Sequence, residues 1–150
     1  MAQISGRESI LGFYCGAGTI ELFLASCARE VVGVDSSGES IACAKENALI
    51  NKIGNCVFRK EPVERAVARL SRTRPDITII DPPRAGMSKE AVSAVKKVNA
   101  EKLIYISCNP SSLARDLKTL LPAYVPKEVV PFDFCPHTGH FEVLTLLERH

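Results

Sequence analysis

Five apolar runs, spaced by amphipathic stretches, do most to limit what this 150-residue chain can fold into. Ile10-Leu11-Gly12-Phe13-Tyr14, Val31-Val32-Gly33-Val34-Asp35, Cys56-Val57-Phe58-Arg59, Ile77-Thr78-Ile79-Ile80-Asp81 and Leu103 to Ser107 read as strands. The third is the weakest. The fourth is the strongest, because Ile77, Thr78, Ile79 and Ile80 are all β-branched. Between the runs lie helix-like segments at Thr19 to Ala28, Gly38 to Asn51, Val63 to Ser71, Ser88 to Val98 and Ser111 to Leu121. Ser88 and Ser111 are residue types suited to an N-cap. Strand and helix alternating in this way specify a parallel sheet with right-handed crossovers. The ending departs from that rhythm. Tyr124 to Phe134 and Phe141 to Leu147 are extended segments with no helix between them, which predicts an antiparallel pair at one edge of the sheet.

The length suits one domain with a real core, and the expectation is a single unit over residues 1–150. No apolar run approaches the length of a bilayer span, and the first residues lack the layout of a signal peptide, so a cytoplasmic or organelle-matrix location is the default expectation. A net charge of +2 does not by itself argue for a nucleic-acid partner. Arg65, Arg69 and Arg72 recur at helical spacing and read as a solvated helix face, with a phosphate-facing patch as the alternative. The six cysteines form no C-x-x-C pair and have no histidine at zinc-finger spacing, so they read as reduced thiols with no metal site.

Chemistry gathers where strands end. Tyr14-Cys15-Gly16-Ala17-Gly18-Thr19 joins the first strand to the first helix, and its glycines allow close backbone approach to a ligand. It lacks the third glycine of the dinucleotide fingerprint and has no Walker lysine. Asp35 ends the second strand, the position from which a carboxylate reaches ribose hydroxyls. Together these favour S-adenosylmethionine over NAD. Asp81-Pro82-Pro83-Arg84 follows the fourth strand as a rigid turn, read either as a stiff loop or as a substrate and cofactor platform. Ser107-Cys108-Asn109-Pro110 follows the fifth, where Cys108 is either a packed thiol or a nucleophile. His137, Thr138, His140 and Glu142 form a polar cluster, and in extended chain His140 and Glu142 project to one side. No G-x-S-x-G elbow supports a serine hydrolase.

These motifs, in this order, with Phe134-Cys135-Pro136-His137-Thr138-Gly139-His140-Phe141-Glu142 as the last, resemble the catalytic domain of the RNA uracil carbon-5 methyltransferases. That family makes 5-methyluridine in transfer or ribosomal RNA, and the resemblance covers nearly the whole chain. It implies a Rossmann-like class I methyltransferase fold: a seven-stranded, mostly parallel sheet with an antiparallel C-terminal strand and helices on both faces. It implies Cys108 as the nucleophile that adds to carbon 6 of uracil, and Glu142 as the base that removes the carbon 5 proton. It further implies S-adenosylmethionine held by Tyr14, Gly16, Thr19, Asp35 and Asp81, with Asp35 on the ribose and Asp81 also orienting the target base. The target nucleotide is expected out of its stack.

The chain departs from the family in three places. Gly12 stands where relatives carry an acidic residue, which predicts weaker cofactor binding, and Pro62 stands where relatives offer a side chain toward the adenine. Relatives also carry a long N-terminal part, so the chain reads as an isolated catalytic domain, an excised fragment or a minimal relative. Two other functions stay open: a cofactor-binding or RNA-interaction fragment that needs a partner chain, and an exocyclic-amine methyltransferase. The second of these uses an aromatic residue where Arg84 stands and has no use for a covalent cysteine.

Overall fold

The computed structural model describes residues 4–70, 74–134, 136–139 and 141–150. Seven strands and five helices alternate: β1 (Ser9–Phe13), α1 (Thr19–Ala25), β2 (Glu30–Asp35), α2 (Gly38–Ile50), β3 (Cys56–Lys60), α3 (Val63–Leu70), β4 (Ile77–Ile80), α4 (Lys89–Val98), β5 (Lys102–Ser107), α5 (Pro110–Leu120), β6 (Tyr124–Phe132) and β7 (Glu142–Arg149). The strands form one sheet in the order β3-β2-β1-β4-β5-β7-β6. All pairings from β3 across to β5 are parallel, and β7 inserts antiparallel between β5 and β6. This is the expected mostly parallel sheet with an antiparallel C-terminal strand.

Side-chain chemistry explains the layering. Every residue of β4 is buried, as a strand covered on both faces requires. On one face Leu11, Phe13, Val34, Ile80, Leu103 and Leu147 pack against the apolar stripes of α3, α4 and α5. On the other, Ile10, Val31, Phe58, Ile77, Ile79 and Ile104 pack with Ala25 of α1 and Ile41, Ala44 and Ala48 of α2. At the edge, β3 alternates between buried Cys56 and Phe58 and exposed Val57 and Arg59.

The expected boundaries shift where local chemistry intervenes. Tyr14 leaves β1 with φ 61 to start the turn. Ser88 caps α4 as expected, its hydroxyl accepting from the Ala91 amide at 3.0 Å. The helix expected from Ser111 begins one residue earlier, with Asn109 as its cap and Pro110 in the first turn, where a missing N–H costs nothing. α1 ends at Ala25, three residues before its expected end, and β6 ends at Phe132. Arg65 and Arg69 are exposed on α3, and Arg69 pairs with Glu61; Arg72 lies outside the described residues. No helix among the described residues is long and apolar enough to cross a membrane.

Strand order reverses between β1 and β4. In open α/β sheets the crevice beyond the strand ends at such a point is where ligands bind.

Candidate active site

The loop after β1 is shaped by backbone. Gly16 and Gly18 take positive φ, 52 and 81, and the Gly18 amide donates to the Cys15 carbonyl at 2.8 Å, closing the turn. A Cβ on Gly18 would collide with the Phe58 ring, so this glycine also lets the turn sit close on β3. Asp35, at the end of β2, ties the next loop to this one. Its Oδ2 accepts from the Gly16 amide at 2.9 Å and its Oδ1 from the Ser37 amide at 2.8 Å. Each carboxylate oxygen keeps a further lone pair for hydroxyls, and the two amide bonds fix its direction. Tyr14, Asp35, Pro62, Val63, Glu64 and Pro83 line a cleft of about 300 Å³. Burial, with the charges of Glu64, Asp116 and Asp35, pushes the Tyr14 phenol up to about 12, so it stays a neutral donor. Thr19 is exposed at the start of α1. Larger hollows lie between α3 and α4, lined by helix side chains, and between α4 and α5, where Met87, Arg115 and Asp116 join the lining.

The loops after β4 and β5 are joined into one unit. Asn109 Nδ2 donates to the Arg84 carbonyl at 3.1 Å, and Ser112 Oγ donates to the same oxygen at 3.2 Å. The Arg115 guanidinium donates to the carbonyls of Ala85 and Met87 at 2.9 and 3.1 Å. Beneath them Asp116, 2% exposed, accepts from the Met87 amide at 2.8 Å and the Tyr105 hydroxyl at 2.6 Å while pairing with Arg115. Arg84 thus serves the platform through its main chain. Sequence reasoning passed over this network, since Asp116 reads as one more polar residue on an amphipathic helix. Asp116→Ala leaves a buried amide and a buried phenol unpaired. It is expected to cost about 2–3 kcal/mol, checked by urea unfolding.

Cys108 stands half-buried between the end of β5 and the Asn109 cap of α5, with Ser107 Oγ held between the Asn109 amide and carbonyl at 3.1 and 3.0 Å. The last rung of β5 on β7 is Ser107↔Val143, so the next positions along the two strands are Cys108 and Glu142. Residues 34 apart in sequence thereby follow the same rung. Asp81 adjoins them at the end of β4. Its carboxyl is solvent-accessible yet held above the ordinary range, first by lost hydration and second by the Glu142 charge. Glu142 also pairs across β6–β7 with Phe132, whose ring stacks on Phe134 at 5.7 Å. His137 and Thr138 are exposed in the 136–139 turn, while Cys135 and His140 lie outside the described residues. The same-side relation expected of His140 and Glu142 therefore lies outside them too.

Sequence reasoning also missed Glu21. It is 2% exposed on α1, and a Cβ placed on Gly12 would collide with its carboxylate. The signal was present: Glu21 lies four residues before buried Ala25, on the core-facing side of an otherwise apolar helix.

A family model described as tRNA (Uracil-5-)-methyltransferase matches residues 2–150. A protein of Caldanaerobacter subterraneus, described as an uncharacterized RNA methyltransferase, is 40% identical over 144 residues, covering 95% of this chain and 32% of that protein. Among solved structures, the Pyrococcus abyssi tRNA (uracil-54, C5)-methyltransferase in complex with S-adenosyl-L-homocysteine superposes with a TM-score of 0.82 at 34% identity, covering 96% of this chain and 35% of that one. An rRNA methylase from Streptococcus thermophilus, at 13% identity and a TM-score of 0.77, shares the fold. The chain spans about a third of the length of the curated relatives it matches.

Proposed function

The chain belongs to the tRNA (uracil-5-)-methyltransferase family, and on that premise we propose that it is the catalytic domain of an enzyme methylating carbon 5 of a uridine in transfer or ribosomal RNA. The feature that supports this reading is the register of β5 on β7: its last rung, Ser107↔Val143, lies one position before Cys108 on one strand and one after Glu142 on the other, and the Glu142 charge acts on Asp81. A packing cysteine needs no carboxylate beside it. Uracil chemistry needs both groups, because carbon 5 is a weak nucleophile until a thiolate adds at carbon 6.

The residues around the cleft fit S-adenosylmethionine. Asp35 offers two oriented oxygens to vicinal hydroxyls, Tyr14 and Pro62 offer flat or apolar surface, and the Gly16–Gly18 turn permits close approach. Thr19, exposed at the start of α1, and Asp81 complete the set. When bound, the cofactor supplies an electrophilic methyl group on a sulfonium.

The chain's own steps follow. Cys108 Sγ, as the thiolate, adds to carbon 6 of an unstacked uracil, and the electron pair moves into the ring as an enolate with density on carbon 5. Asp81 and the main-chain platform of residues 84–87 hold the base in place. Once carbon 5 carries the methyl group, Glu142 takes its proton, the carbon 5–carbon 6 double bond re-forms and the carbon–sulfur bond breaks. Cys108 leaves as the thiolate and Glu142 holds the proton until solvent removes it.

RNA containing 5-fluorouridine tests the reading, because fluorine at carbon 5 cannot leave as a proton. With S-adenosylmethionine present, an adduct stable to denaturing electrophoresis is expected, with the mass of protein, RNA and one methyl group. Because the chain spans only a third of its relatives' length, a second reading is a cofactor-binding module whose RNA is presented by another segment. Calorimetric cofactor binding without any adduct would favour that reading. A methylated exocyclic amine in digested RNA would overturn both.

A further inference from the structure

Glu21 is a buried acid that the chemistry above does not use. Among the described residues its Oε2 has no hydrogen-bond partner, it has no solvent contact, and its own main-chain amide is the one group that favours the charged form. Burying a carboxyl without a partner is unfavourable, and such groups are kept where something charged meets them. The room for it is made by two glycines. Gly12 of β1 and Gly33 of β2 are register partners, so at this rung neither strand puts a Cβ on this face. The Glu21 carboxylate covers Gly12, while the Phe58 ring and Cys15 Sγ cover Gly33. The charged or titratable groups around it are Asp35 at the end of β2, Asp81 at the end of β4, Cys15 in the first loop and Cys56 on β3. No cation is among them within the described residues. A three-carboxylate cluster at the switch point of the sheet matches a ligand with positive charge.

We infer that Glu21 is a positioning residue for the cofactor, its carboxylate meeting the ammonium of the amino-acid moiety from beneath the β1–α1 loop. The inference rests on the S-adenosylmethionine reading of the site. It also revises the expectation drawn from Gly12: the acid missing from β1 is supplied by α1, and the two positions work as one. Gly12 must stay small because Glu21 occupies the space over it.

Two nucleosides separate the possibilities by calorimetry. S-adenosylhomocysteine carries the ammonium, whereas 5′-methylthioadenosine keeps the adenosine and lacks the amino acid. Glu21→Gln is expected to weaken S-adenosylhomocysteine by roughly 10- to 100-fold, as loss of a charged hydrogen bond does, and to leave 5′-methylthioadenosine within about twofold. Because burial raises the Glu21 carboxyl to about 7, pairing with an ammonium drives off a proton. Repeating the titration near neutrality in buffers of different ionisation enthalpy should therefore show proton release from the unaltered protein and none from Glu21→Gln. The double variant Gly12→Asp with Glu21→Ala should recover most of the affinity, which guards against a variant that merely folds poorly. Equal weakening of both nucleosides, or of neither, overturns the assignment of Glu21 while leaving the cofactor reading intact. An unaltered protein that binds neither nucleoside overturns the cofactor reading and this inference with it.

Discussion

Glu142→Gln, given S-adenosylmethionine and ordinary uridine-containing RNA, is expected to end up covalently attached to that RNA. Glutamine keeps the shape of the side chain at the start of β7, one position beyond the last β5–β7 rung, but has no basic oxygen to take a proton. Thiolate addition and methyl transfer come before the step that needs the base, so both proceed. Only the elimination that frees Cys108 is slowed, by roughly 10²- to 10⁴-fold for loss of a general base. Denaturing electrophoresis should show a shifted band whose mass includes one methyl group, with free product almost absent. Cys108→Ala should give the opposite: no adduct with ordinary or fluorinated RNA, and turnover lower by about 10⁴-fold or more, as for loss of a covalent nucleophile. Asp81→Asn is the informative control, because Asp81 is the other carboxylate at this edge and is coupled to Glu142. Should Asp81→Asn accumulate the methylated adduct while Glu142→Gln turns over freely, the roles of the two acids are exchanged.

The second large effect concerns stability. Burial lifts the Glu21 carboxyl from 4.5 to about 7, with Asp81 and Asp35 adding to the shift. The folded state therefore holds its proton more tightly than the unfolded state. Its contribution is fully present below about pH 4.5 and is lost as pH rises through about 7. A shift of this size corresponds to about 3 kcal/mol of stability lost between the two limits. Glu21→Gln cannot ionise and should lack this loss. The difference in unfolding free energy between the two proteins is thus expected to change by about 2–3 kcal/mol in favour of the variant from pH 4.5 to pH 8, read from urea titrations. Acids that do not meet the Glu21 charge titrate alike in both proteins and cancel, while Asp35 and Asp81, which do, are part of the change being read. A difference that stays flat with pH would mean that Glu21 titrates in the folded protein as it does in the unfolded chain.

Much of the fold was legible because its signals are local. Ile77 to Ile80 and Leu103 to Ser107 are too apolar and too β-branched to be surface helix, and the capping residue Ser88 adjoins the helix it starts. The glycine turn and Asp35 were legible for the same reason, since each carries its conformational requirement in its own residue type. Boundaries were less so. The end of β1 depends on Tyr14 adopting φ 61, which no intrinsic preference of tyrosine predicts.

The sequence by itself determined the alternation of strands and helices, the loops that carry polar chemistry and the family resemblance, because side-chain period and turn residues act over a few positions. The tertiary structure alone decided which of those loops meet. Cys108 and Glu142 come to follow one rung, Ser107↔Val143, through the antiparallel register of β7 on β5, and register is set by burial of Leu103 against Leu147 and of Ile104 against Leu146. Asp116 joins the loops after β4 and β5 because α5 packs its buried face beneath them. Glu21 gains its meaning from two glycines on neighbouring strands, Gly12 nine positions before it and Gly33 twelve after, which leave room on one face of the sheet. The physical reason is common to all three: desolvation and contact depend on what surrounds a side chain in space, and a linear pattern records only what surrounds it along the chain.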